Sequence, residues 1–184
     1  MYSNDYFHNS DEILDKLTEL DFHCKRNGVV SELVILGGSG ILLYMEMQNV
    51  QFRPTQDIDV NIIRATDVNE AISQLRDGGF DIVGGVSELP PREDYIPGET
   101  IFELDLDLDA LKVYVPSIEI LACTKLFSKR EKDFLDLKNT NILNQCDKET
   151  LLDMVEEYKP YMLNPEDTAY NVHELLHFFE ERGI

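Results

Sequence analysis

A chain of 184 residues with 43% hydrophobic side chains can bury a core of its own, which sets aside wholesale disorder. Sixteen basic residues against 36 acidic ones leave a formal charge of −20. That balance argues against a free-standing nucleic-acid binder, because phosphate backbones are held by lysine and arginine.

Most of these carboxylates read as a solvated acidic surface, and the charge also suits a basic protein partner or a metal site. Cys24, Cys123 and Cys146 are odd in number and scattered, so they read as reduced thiols rather than a disulfide or zinc framework. The start MYSNDYFHNSDE is polar and acidic, unlike a signal peptide, and no apolar run reaches bilayer length. A cytoplasmic protein with no membrane contact is expected.

In chain order, Ser10 with Asp11 and Glu12 predicts a helix start carrying the stripe Ile13, Leu14, Leu17 and Leu20, with a stop at Gly28. Leu33–Leu36 suits a buried strand, followed by a turn at Gly37-Gly38-Ser39-Gly40 and a helix from Ile41. Val60–Ile63 is a second strand. Asp67 with Glu70 resembles a capping box opening a helix over Val68, Ala71, Ile72 and Leu75, which Gly78-Gly79 ends. A short strand at Phe80–Val83 and a proline-rich loop from Gly84 to Gly98 follow. Ile101–Leu108 alternates strictly, with Glu103, Asp105 and Asp107 on one face, and predicts a strand; Lys112–Val115 predicts another. Helices are expected from Pro116-Ser117, from Asp147 to Tyr158, and from Asn164-Pro165. The order suits an α/β (α+β) fold, a mixed sheet flanked by helices, with residues 1–140 as core and 141–184 as a helical extension packed on it.

Two features point to chemistry. A glycine turn between strand and helix leaves backbone N–H groups outward, a cradle for phosphate. About twenty residues later, Asp57-Ile58-Asp59 heads a strand, so both carboxylates project to one side while Ile58 projects to the other. Side by side they repel unless a cation sits between them, and a hard divalent ion, Mg²⁺ or Mn²⁺, answers that need. Gly-Gly-Ser and Asp-x-Asp are each common. Their order and spacing give the signal.

Gly37-Gly38-Ser39 followed by Arg53-Pro54-Thr55-Gln56-Asp57-Ile58-Asp59 resembles the nucleotidyltransferase superfamily, of DNA polymerase β-like fold. The string is similar to a small bacterial branch that holds AbiEii-type toxins and DUF6036-like nucleotidyltransferases. A second block, Leu121 to Lys125 with Arg130-Glu131-Lys132-Asp133 and Asp136, resembles the same branch, so the likeness spans roughly residues 10–140. The resemblance implies Mg²⁺-dependent transfer of a nucleoside monophosphate from an NTP such as ATP to a hydroxyl. It implies Asp57 and Asp59 as catalytic metal ligands with a third carboxylate from a neighbouring strand: Asp107 first, then Asp105, with Glu103 also in reach. It implies nucleotide contacts from Gly37, Gly38, Ser39, Arg53, Thr55 and Lys125. A toxin–antitoxin role with a cognate antitoxin or other protein partner would follow, and an RNA acceptor stays open.

Each residue also has a plain reading. Ser39 can simply cap a helix, Arg53 can pin a loop by an ion pair, and Lys125 can snorkel from a half-buried helix. Glu103, Asp105 and Asp107 can be a solvated strand edge, and Asp133 and Asp136 part of a surface charge cluster. The non-catalytic alternative keeps the fold and uses the acidic site to bind a nucleotide or a partner. His173-Glu174-Leu175-Leu176-His177 matches the zinc-protease string H-E-x-x-H. Only seven residues follow His177, none of them His, so a third ligand is lacking and an amphipathic terminal helix is the better reading.

Overall fold

A computed structural model describes residues 6–85 and 88–184. Contacts divide the chain into two compact units, the first running to Gly84 and resuming over Tyr95–Pro116, the second formed by Gly85–Asp94 and Ser117–Ile184. The division falls after Pro116, not at residue 140, because the helices that follow Pro116 pack on one another.

In the first unit, α1 (Ser10–Arg26) is capped by Asn9, whose side chain accepts from the Glu12 N–H, so the cap lies one residue before the expected Ser10. Ile13, Leu17, Leu20 and Cys24 are buried along it, and burial, then Asp21 and Glu70, pushes the Cys24 thiol up to about 11. β1 (Ser31–Leu36) is buried along nearly its whole length, as a strand covered on both faces must be. The helix α2 (Gly37–Met47) begins on Gly37 itself, so the expected four-residue turn is instead the helix's first turn. β2 (Asp59–Ala65) follows, then α3 (Val68–Asp77), capped by Asp67 accepting from the Glu70 N–H. The Glu70 carboxylate takes Gln74 rather than closing the box.

β3 (Asp81–Ile82), β4 (Ile101–Glu103) and β5 (Leu111–Pro116) complete a mixed five-stranded sheet of order β3-β2-β1-β5-β4. β1 runs antiparallel to β2 and parallel to β5, while β2 is parallel to β3 and β4 antiparallel to β5. α2 packs on β1, β2 and β5, α3 packs on β2 and β3, and α1 rests on both helices. The fold class is α/β, a mixed sheet with helices, as expected.

β4 stops at Glu103, although strict alternation continues to Leu108. Beyond Leu104, whose N–H still bonds Val113, the chain turns on itself through Leu106 N–H to Leu104 and Leu108 N–H to Leu106. These tight turns preserve alternating burial without a partner strand. The start of β5 is held by Asp21, which is 7% exposed. Its carboxylate accepts the N–H groups of Asp109, Ala110 and Leu111 at 3.1, 2.7 and 2.9 Å. Asp21→Ala should therefore cost about 2 kcal/mol or more, since buried N–H donors lose a charged acceptor. Chemical denaturation reads this directly, and an unchanged midpoint would show that water replaces the carboxylate.

The second unit is built on α4 (Ile118–Leu126), buried on all sides and capped by Ser117 accepting from Ile120. It packs against α5 (Glu131–Asn139), α6 (Ile142–Gln145), α7 (Lys148–Tyr158) and a 3₁₀ turn over Asn171–Glu174. Asp147 caps α7 through the Thr150 N–H, as its position predicts. The last helix, α8 (Leu175–Arg182), starts ten residues after Pro165, which lies in a turn closed by Asp167 N–H to Asn164. Burial, then a hydrogen bond with Asp94, pushes the Tyr158 phenol far up. All three cysteines are free thiols, and no helix among the described residues is long and apolar enough to cross a membrane.

Candidate active site

The sheet register brings the end of β1 level with the start of β2, because Leu36 pairs with Asp59. The next residue, Gly37, has φ +57°, a left-handed conformation that side-chain-bearing residues avoid. A Cβ at Gly37 would lie 2.0 Å from Asp59 Oδ2. At Gly38 it would lie 2.9 Å from Thr55 Oγ1 and 3.5 Å from Arg53 Nη2. The two glycines thus let three side chains, Arg53, Thr55 and Asp59, close onto bare backbone where α2 begins. The N-cap, Leu36, offers that helix start no side-chain bond.

Around this point, Thr55 is 4% exposed, and its hydroxyl donates to the Asp57 carbonyl at 3.3 Å. Arg53 lies over the Phe52 ring at 5.2 Å and donates through Nη1 to the Pro54 carbonyl at 2.9 Å. Ile58 is 2% exposed, Asp57 is exposed and Asp59 half-buried, so of the three only the apolar residue between the carboxylates is enclosed. Asp57 itself precedes the ladder, since β2 begins at Asp59.

Two expected nucleotide contacts have protein partners of their own. Ser39 is fully buried, its hydroxyl donating to the Leu36 carbonyl at 2.9 Å and accepting the Asp59 N–H at 3.3 Å. Ser39 is not the cap of the helix; its hydroxyl staples β1, α2 and β2 together. Lys125 belongs to the second unit, where Nζ donates to Asp133 at 2.8 Å and Asp136 at 2.7 Å, with its side chain 4% exposed. Its ammonium is bonded to two buried carboxylates.

The third-carboxylate candidates fail by register. Glu103 pairs with Tyr114, which is level with Val34 and Asn61. It therefore sits three strand spacings from β2, about 14 Å. Asp105 and Asp107 run on from it, away from the Asp59 end and towards Asp109 beside α1. The sheet instead sets Asp81 of β3 in register with Asp59. Register partners share a face, so Asp81 is the exposed carboxylate one strand over, a neighbour that sequence spacing does not reveal.

Among the described residues no three His, Cys, Asp or Glu side chains gather closely enough to hold a metal ion by themselves. Mg²⁺, however, is commonly held by one or two carboxylates together with substrate phosphates. Asp57 and Asp59, hard oxygen donors next to a glycine cradle, fit that nucleotide-dependent mode. The H-E-x-x-H string forms no continuous α-helix: His173 lies in the 3₁₀ turn with Nε2 3.1 Å from the Asp167 carbonyl, and His177, in α8, faces Glu181 at 3.4 Å.

Residues 11–182 match the family described as a nucleotidyltransferase of unknown function, DUF6036. The chain belongs to this family. Neither the curated proteins nor the solved structures give a match. For this DUF6036 member the match runs through both units, so the helices after residue 140 are part of the family's pattern as much as the glycine–aspartate centre.

Proposed function

We propose that this DUF6036 protein transfers a nucleoside monophosphate from an NTP to a hydroxyl acceptor, with Mg²⁺ or Mn²⁺ as cofactor. The observation that carries the reading is the closure of Asp59 onto Gly37, with Arg53 and Thr55 against Gly38. In this reading the β,γ-phosphates lie on the backbone of Gly37 and Gly38, where the N-terminus of α2 favours anions. Arg53 offers a guanidinium to the same phosphates. Asp57 and Asp59 would hold the ion, which supplies charge neutralisation at the phosphates. Ile58, buried between them, fixes the backbone that aims both carboxylates. Catalysis is then mainly positioning and electrostatics, as phosphoryl-type transfer allows. The toxin half of a toxin–antitoxin pair, with a cognate protein partner, is the biological setting this chemistry would suit.

The test is incubation with α-phosphate-labelled NTPs, Mg²⁺ or Mn²⁺ and a cell lysate, beside an Asp57→Ala/Asp59→Ala control. Label on a macromolecule with the intact pair, falling to background in the control, is the expected result. A second reading is favoured by the course of the chain after β4, which takes Asp105 and Asp107 away from the pair towards Asp109 beside α1: a relative that binds nucleotide without turning it over. Calorimetric binding of Mg²⁺–ATP with no transfer from any of the four NTPs would select it.

A further inference from the structure

The loop that carries Arg53, Thr55 and Asp57 belongs to neither β1 nor β2, so something else must hold it in place. That support comes from the residues before α1. Phe7 and Thr55 form an antiparallel bridge, with Phe7 N–H donating to the Thr55 carbonyl at 2.7 Å and Thr55 N–H to the Phe7 carbonyl at 3.0 Å. Three residues on, Ser10 N–H donates to Glu46 Oε2 of α2 at 2.7 Å. Between them, His8 N–H donates to Glu12 Oε2 at 2.6 Å, and Asn9 caps α1. Residues 7–10 are therefore a strap with one end on the site loop and the other on α1 and α2. We propose that Phe7 is a positioning residue for the nucleotide site, acting through its backbone pairing with Thr55; this rests on the nucleotide reading above.

Thr55 is where the strap's hold becomes a matter of site geometry. Its N–H and carbonyl are fixed by Phe7, its hydroxyl bonds the Asp57 carbonyl, and its Oγ1 lies against Gly38. Fixing one residue thus fixes the Gly38 contact and the approach of the Asp57 backbone together. The strap also borders a surface hollow of about 550 Å³, lined by Tyr6, Phe7 and His8 on one side and Glu12 and Asp15 of α1 on the other. An edge held by two backbone bonds at the surface is the kind of element that opens locally well before the core does.

The test separates backbone from side chain. Phe7→Pro deletes the donor to Thr55 and keeps an extended chain, whereas Phe7→Leu keeps both bonds. Mg²⁺–ATP binding by calorimetry should weaken about three- to tenfold in Phe7→Pro, the effect of one net hydrogen bond, and stay at the wild-type value in Phe7→Leu. Amide exchange at Thr55 should accelerate in Phe7→Pro while Val34 and Ile35 in β1 stay protected. Wild-type ATP affinity in Phe7→Pro, or unaltered exchange at Thr55, overturns the proposal. If the wild-type chain binds none of the four NTPs, the nucleotide reading falls, and exchange at Thr55 and Asp59 alone decides whether the strap holds the loop. Should Phe7→Pro fail to fold, Glu46→Ala, which frees the Ser10 end, carries the same expectations.

Discussion

Lys125→Met should lower the thermal unfolding midpoint by about 10 °C or more, the effect of about 3–5 kcal/mol in a chain of this size. Lys125 is a buried cation bonded to both Asp133 and Asp136, which are 1% and 3% exposed. Arg130 adds Nε to Asp133 at 2.7 Å from the surface, and the Ser128 hydroxyl donates to the same carboxylate at 2.7 Å. Removing Lys125 takes its ammonium from two carboxylates buried where water is excluded, and the loss of one partner makes broken buried pairs costly. The damage extends to the chain around it, because Asn171 donates to the Lys125 carbonyl at 3.0 Å and the Asn171 N–H to Ser128.

The pH dependence identifies the cause. Burial works to raise the Asp133 carboxyl, but the Lys125 ammonium, the Ser128 hydroxyl and Arg130 outweigh it and hold the group below the usual carboxylate range. A carboxylate depressed in the folded state contributes stability above its unfolded pKa of about 4 and loses it as pH falls through the lower folded value. In Lys125→Met the main group holding Asp133 down is gone and burial prevails, so Asp133 protonates at higher pH. The gap between variant and wild type should therefore be widest near pH 7 and narrow below about pH 4. A gap independent of pH would mean that lost packing of the lysine stem, not buried charge, is responsible.

This cluster also shows how far the sequence could be read. Lysine among Leu121, Ala122 and Leu126 signals a buried cation that needs a partner, and Asp133 and Asp136 stand one helical turn apart on the next helix. The family resemblance directs that lysine to the nucleotide phosphates or the metal-site carboxylates; the side-chain geometry pairs it with Asp133 and Asp136. The order of strand, glycines, helix and Asp57-Ile58-Asp59 was legible because glycine and alternating burial are local signals. The third carboxylate was not, because alternation from Ile101 to Leu108 reports which side a residue faces and says nothing of its partner strand. The tight turns after Leu104 keep that alternation, and strand order puts β4 at the opposite edge of the sheet from β3. Asp81 went unseen for the same reason: its relation to Asp59 exists only in the register between β2 and β3. Asp21 had a faint signal, an acidic residue within the buried stripe of Leu17, Leu20 and Cys24, but its three backbone donors come from almost ninety residues away.

Gly37→Ala should abolish Mg²⁺–ATP binding and lower stability by about 2–3 kcal/mol, the combined effect of a left-handed φ and a forced side-chain displacement. Two constraints meet at this residue. Its φ of +57° strains any residue with a Cβ. The added Cβ would also lie 2.0 Å from Asp59 Oδ2, 3.0 Å from Cγ and 3.4 Å from Cβ, so rotating the carboxylate tip alone cannot relieve the clash. Either Asp59 swings away from the cradle or the junction of β1 with α2 retreats. Both outcomes separate the carboxylate from the backbone on which a phosphate would rest. Gly38→Ala makes the graded comparison: its φ is not left-handed, and its nearest atom is Thr55 Oγ1 at 2.9 Å, on a side chain that must give way by tenths of an ångström. It should weaken nucleotide binding less than Gly37→Ala and leave the unfolding midpoint nearer the wild-type value. Calorimetric titration of both variants beside thermal unfolding separates the two effects. If Gly37→Ala binds Mg²⁺–ATP as the wild type does, the contact between Asp59 and the start of α2 serves the fold alone, and the nucleotide must be sought elsewhere on the chain.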